Sequence, residues 1–190
     1  METPTPITGS LKLLETAKEF DVESRWHLPF PMGVFGTLRE GHGNNRLMHR
    51  ADIEMRIRGF MPHFIAHGLS ISYQKEATAP FEVFFYRPDE WKKMIPSVDS
   101  LEGFHPEYAS DKSYGYYRTL AYIHLLPDSF EHPLFPPESG RGWYSLGANR
   151  DLEIPQKEWD KYERVPCWVY SNKTNNVRAK EAGVDTVIWG

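Results

Sequence analysis

Fifteen prolines are spread through the 190 residues, and they restrict the fold more than any other feature of the chain. A proline inside a helix removes a backbone donor and clashes with the preceding turn, so a chain punctuated this often reads as turns and strands rather than long helices. In "ADIEMRIRGF", Ile53, Met55 and Ile57 alternate with Glu54, Arg56 and Arg58, the period of a strand with one wet face. Further runs of strand character are "PHFIAHG", "ISYQ", "FEVFFYR", "YYRTLAYIHL" and "CWVYSN". The opening "METPTPITG" has no periodicity and reads as loose. Ser10 is expected to cap a helix over "LKLLETAKEF", where Leu13, Ala17 and Phe20 share a face. "HLPFPMG" reads as extended and feeds a strand over residues 33–37. "PDEWKKM" is a proline-led helix that Pro96 should stop, and "PQKEWDKYER" is a second proline-led short helix.

Short strands with a few short helices between them predict an α+β fold: a small mixed β-barrel of five to seven strands flanked by short helices. Residues 1–32 are an N-terminal helix and extended lead-in, and residues 33–190 are the domain proper. From 127 to 164 five prolines and "GRGW" break the strand rhythm, which marks an insertion or long excursion that caps or flanks the core. A net charge of −4 and a pI near 6.1 argue against a nucleic-acid or anionic-membrane surface. Cys167 is the single cysteine, so no intramolecular disulfide forms, which fits a reducing compartment. No apolar run has a membrane-spanning length, and the N-terminus lacks the layout of a secretory signal. A cytoplasmic location is therefore expected, and the sequon at Asn172 reads as chance.

Two pieces carry candidate chemistry. "GVFGTLREGHGNNRL" ends an apolar strand in a glycine- and amide-rich loop. "PSVDSLEGFHPEY" sets Glu102 between a leucine and a Gly-Phe pair, with Ser97 starting a short turn and Val98 and Leu101 as its anchors. Partial burial without a cation would raise the Glu102 pKa, which suits a group that takes and then gives a proton. The plainer reading is a glutamate that caps a turn or pairs with a lysine, and a loop that is an ordinary strand-to-coil transition.

Together and in this order, the two pieces resemble the signatures of the γ-glutamylcyclotransferase-like (AIG2-like) proteins. "VFGTLREGHGNNRL" is similar to that family's V-[YF]-G-[ST]-L-R-x-G-x-x-N-x-x-L, and "VDSLEGF" to its LD-x-[LFY]-EG motif. The likeness runs from about residue 33 to 172. It implies a small mixed barrel whose first strand ends in a substrate-holding loop, with Gly36 allowing the backbone to turn and approach a ligand. The N–H groups of Phe35, Gly36, Thr37 and Leu38 would then form a nest for a carboxylate or oxyanion. Glu102 maps onto the catalytic glutamate. The implied reaction closes a γ-glutamyl group on its own α-amine to give 5-oxoproline, with a small γ-glutamyl amine or peptide as substrate and no metal or cofactor. Phe35 stands where many members have tyrosine, so a hydroxyl contact is missing. Asn44-Asn45 stands where the family often has Asn-His, and either amide would orient the loop or a ligand. Tyr116 and Arg118 match a Y-x-R segment; they either line the pocket, with Arg118 gripping a carboxylate, or form a wet face.

Other signals are weaker. His63 and His67 lack the glutamate of an H-E-x-x-H motif and a third ligand nearby. "GHGNNR" begins like a dinucleotide fingerprint, but Arg46 replaces its last glycine. Cys167 suits core packing better than nucleophilic chemistry. Trp143, Tyr144, Trp159, Tyr162 and Trp168 read as a roof over the barrel rather than a partner surface. The rival to an enzyme is a catalytically silent barrel that binds a small carboxylate or a protein partner. Oligomeric state is not legible.

Overall fold

The computed structural model describes residues 5–40, 42–67, 70–108, 116–126 and 154–189. Its strands are β1 (Met32–Val34), β2 (Ile53–His67), β3 (Ser70–Tyr86), β4 (Tyr117–Leu126), β5 (Arg164–Ser171) and β6 (Val187–Trp189). They form one sheet in the order β2-β3-β1-β5-β4-β6, and a further β2–β4 pairing closes the first five into a barrel. β1 runs parallel to β5 and every other pairing is antiparallel, so the barrel is mixed. The expected α+β fold, a small mixed barrel with short helices around it, is the one observed.

Closure needs close backbone contact. Gly59 on β2 pairs with Leu125, and a Cβ at Gly59 would collide with the His124 carbonyl oxygen. Only a residue without a side chain lets the strands meet here. Strand alternation then sorts the apolar residues. Phe81, Val83, Phe85, Ala121, Ile123, Val165, Cys167 and Val169 pack as one buried cluster. A Cβ at Gly33 would strike Ile123, Val169 and Phe81 of this cluster from three different strands, so it lies inside the barrel. Phe84, Tyr86, Leu120, Trp168 and Tyr170 face outward into a second cluster, beneath helices and lead-in.

Several boundaries differ from those expected. Helix α1 spans Thr5–Ala17, so the opening is helical from residue 5; Ser10 is inside the helix, its hydroxyl donating to the Pro6 carbonyl. A short α2 (Val22–Arg25) follows, and the lead-in packs down firmly: Trp26 stacks on Trp168, whose indole N–H donates to the Leu28 carbonyl. "PHFIAH" is the far end of β2, and "ISYQ" joins "FEVFFY" in β3. Pro62 and Pro80 look like breakers in sequence, yet the paired strands carry both, with a register shift between Pro62 and Phe64. There His63 takes φ 63°, and its Nδ1 accepts the Glu76 N–H.

Helix α3 (Pro88–Glu102) opens with proline at its first position and Asp89 and Glu90 in its first turn, both favourable at a helix N-terminus. It does not stop at Pro96. Trp91, Met94, Ile95 and Val98 recur at helical spacing and are buried, and their packing carries the helix through the proline. Pro96 and Lys92 are both exposed, so the carbonyl deprived of its helical partner can turn to water. "PQKEWDKYER" contains a 3-10 helix over Gln156–Lys161, and helix α4 (Lys173–Glu181), capped by Asn172, leads to β6; α4 and β6 carry no clear sequence signal. Of the expected insertion, residues 127–153 lie outside the described residues, as do Trp143 and Tyr144. At its returning end Trp159 is buried with Ile154 against Phe60 and Leu126. No described helix is long and apolar enough to cross a membrane.

Candidate active site

A cavity of about 190 Å³ opens where the loop after β1 faces the C-terminal end of α3. Its walls are Gly33–Leu38 and Asn44 on one side, Leu101 and Glu102 on another, and Tyr116 and Tyr170. Every sequence-nominated site residue except Arg118 borders it.

The loop owes its shape to local bonds. The Arg39 N–H and the Arg39 Nε–H both donate to the Gly36 carbonyl, closing a turn over Thr37 and Leu38. Asn44 Nδ2 donates to Thr37 Oγ1 at 2.8 Å, and Asn45 Nδ2 to the Leu38 carbonyl at 2.9 Å. The two asparagines therefore brace the loop, and Asn44 also borders the cavity. Glu82 on β3 anchors the far side by accepting the Glu40 N–H at 3.0 Å. Among the described residues, no backbone acceptor takes the N–H of Gly36, Thr37 or Leu38. Gly36 has no left-handed backbone, so the expected need for conformational freedom does not hold. Among the described residues a Cβ there would meet nothing within 4 Å, so its absence leaves open space beside the cavity that Gly36 borders. Phe35 packs its ring on Phe81 at 5.5 Å.

Glu102 is the last residue of α3. Gly103 caps the helix with φ 72°, its N–H turned to the Asp99 and Ser100 carbonyls, and Phe104 N–H also returns to Asp99. The Glu102 carbonyl accepts the Tyr116 N–H at 3.1 Å, which ties the helix end to the chain entering β4. Contrary to expectation, Leu101 is 43% exposed and joins no buried cluster among the described residues; Val98 is the buried anchor, and Ser97 is helical. Burial, and secondarily the Asp99 charge, push the Glu102 carboxyl up to about 7. Burial and the nearby Glu102 also raise the Tyr116 phenol.

Arg118 corrects the sequence reading on both counts. It neither borders the cavity nor forms a wet face: it is 1% exposed, between the rings of Trp168, Phe104, Trp91 and Trp26 at 4.9–5.8 Å. Its charge is met by Asp99, with Nη2 donating to Oδ2 at 3.3 Å. Nε lies 3.2 Å from Oδ1 without the alignment to donate, and Nη1 has no acceptor among the described residues. Strand period alone cannot reveal this, because a buried cation and an exposed one look alike in sequence. Tyr170, Asp99 and Arg39 were not singled out from sequence; the arginine of "TLRE" and the aspartate of "VDSLEG" are the signals that point to the last two.

No family model matches the sequence, and no curated protein matches it. Among solved structures the chain matches an AIG2-like protein from Mus musculus, with 16% identity and a TM-score of 0.37, over 76% of this chain and 78% of that one. This chain is similar in structure to an AIG2-like protein, the family its two motifs resemble.

Proposed function

We propose that the protein is a γ-glutamyl cyclotransferase, with Glu102 as the proton carrier. The observation that carries this reading is that Glu102, its pKa raised to about 7, lines one cavity with Gly36, Thr37 and Leu38, whose N–H groups meet no backbone acceptor among the described residues. A carboxyl poised near neutrality both accepts and returns a proton readily.

The steps balance without a cofactor. Glu102 takes a proton from the substrate α-ammonium. The freed amine attacks the γ-carbonyl carbon and forms the ring C–N bond, and the carbonyl oxygen gathers negative charge. Amide N–H groups of the loop meet that charge, or hold the α-carboxylate. The oxyanion collapses, the bond to the departing nitrogen breaks as Glu102 returns its proton to that nitrogen, and the ring nitrogen gives up its second proton, which the released amine takes up through solvent. The products are 5-oxoproline and an amine or amino acid. Nucleophile and electrophile belong to one molecule, so much of the rate gain comes from holding the folded conformer.

Release of 5-oxoproline from γ-glutamyl dipeptides, γ-glutamyl-ε-lysine and glutathione tests the reading. Glu102→Gln should reduce turnover by on the order of a hundredfold or more while substrate still binds. Parental turnover by this variant would refute the role of Glu102. Silence across the panel with saturable ligand binding would make the barrel a binding module.

A further inference from the structure

One turn before Glu102, α3 carries a buried ion pair that the reaction above does not use. Asp99 accepts the Tyr170 hydroxyl at 2.5 Å on Oδ1 and Arg118 Nη2 on Oδ2. Both oxygens accept, which suits an ionised carboxylate; burial raises the Asp99 pKa, and Arg118 and the Tyr170 hydroxyl oppose that rise. Burying such a pair among aromatic rings costs several kcal/mol of desolvation, and apolar residues would often fill the space as stably. Its connections suggest why it is there. Asp99 is on α3, Arg118 on β4 and Tyr170 on β5, so the pair and the phenol fasten the last turn of the helix to two adjacent barrel strands. Tyr170 also borders the cavity.

We propose that Asp99, Arg118 and Tyr170 are positioning residues for Glu102: the clamp fixes the helix end and holds a negative charge one turn below the acid. This rests on the reading of Glu102 as proton carrier. The charge of Asp99 opposes ionisation of Glu102 and so favours the protonated form that must serve the leaving nitrogen. Among the described residues, the ionisable groups around the two carboxylates are Tyr116 just before β4, Arg118 on β4, Tyr170 on β5, His105 after α3 and His27 in the lead-in. Among them Arg118 is the buried cation, and it pairs with Asp99 rather than Glu102.

The test is the titration of the Glu102 side-chain carboxyl by carbon NMR in the full chain without substrate, beside steady-state kinetics. Two variants spare the fold. Tyr170→Phe keeps the ring and removes the hydroxyl, and Asp99→Asn with Arg118→Met removes both charges together, avoiding an orphaned buried arginine. In the double variant the Glu102 midpoint should fall by on the order of one pH unit. In Tyr170→Phe it should fall less, with kcat down about tenfold and KM changed by less than about threefold. A Glu102 midpoint and kcat unchanged in both folded variants would overturn the proposal and leave the pair a purely structural contact. If the parent protein releases no 5-oxoproline, the cyclotransferase reading fails, and an unmoved Glu102 midpoint still separately refutes the clamp.

Discussion

At the scale of single residues, the raised pKa of Glu102 is also a statement about stability. The folded chain holds the Glu102 proton more tightly than the unfolded chain does. Its contribution is therefore complete below the ordinary carboxylate range and is lost as pH rises through about 7. Glu102→Gln, which cannot ionise, should match the parent near pH 4 and exceed it at pH 8 by at most about 3 kcal/mol. Urea midpoints at the two pH values measure the difference. Gly36 makes a complementary case. Its substitution by alanine meets no protein atom and needs no forbidden backbone angle, so Gly36→Ala should fold with stability changed by less than about 0.5 kcal/mol. The added methyl occupies space that the ligand would use, so kcat/KM should drop roughly tenfold or more in the 5-oxoproline assay.

At the scale of elements, α3 converts a buried apolar stripe into a placed carboxylate. Trp91, Met94, Ile95 and Val98 fix the rotation of the helix, and the Gly103 cap fixes where it ends. Pro96 works against it, because its ring cannot donate to the Lys92 carbonyl. Pro96→Ala restores that bond on an exposed face, so it should stabilise the protein by about 1–3 kcal/mol. Thermal unfolding would show a higher midpoint. The loop after β1 is held differently, by side chains rather than by packing: Arg39, Asn44 and Asn45 satisfy its carbonyl and hydroxyl groups, while the N–H groups of Gly36, Thr37 and Leu38 meet no backbone acceptor among the described residues.

The whole molecule brings together what the chain separates. Phe35, Glu102, Tyr116 and Tyr170 come from the loop after β1, the end of α3, the residue before β4 and β5 itself, and they share a cavity because the sheet closes. Closure depends on β2 meeting β4 at Gly59. Gly59→Ala puts a carbon against the His124 carbonyl, backbone that cannot step aside, so it should destabilise the protein by about 1–3 kcal/mol. A lower denaturant midpoint would register this. The lead-in belongs to the same structure, since Trp26, Leu28 and Phe30 share the cluster that packs over Trp168 and beneath α3.

Local structure was written plainly in the sequence. The loop from 33 to 47, the glutamate before Gly103 and the proline that opens α3 are each specified by neighbours in the chain, so motif and spacing were enough to find them. Element lengths were not legible in the same way, because Gly59, Pro62, Pro80 and Pro96 are breakers by local preference and are tolerated only where long-range pairing or burial offsets their cost. Nor was the fate of Arg118 legible. Whether a strand arginine meets solvent, substrate or an aspartate depends on what packs against it. Four aromatic rings, a carboxylate one turn from Glu102 and a phenol on the next strand decided it, and only the closed barrel brings those groups within reach of one another.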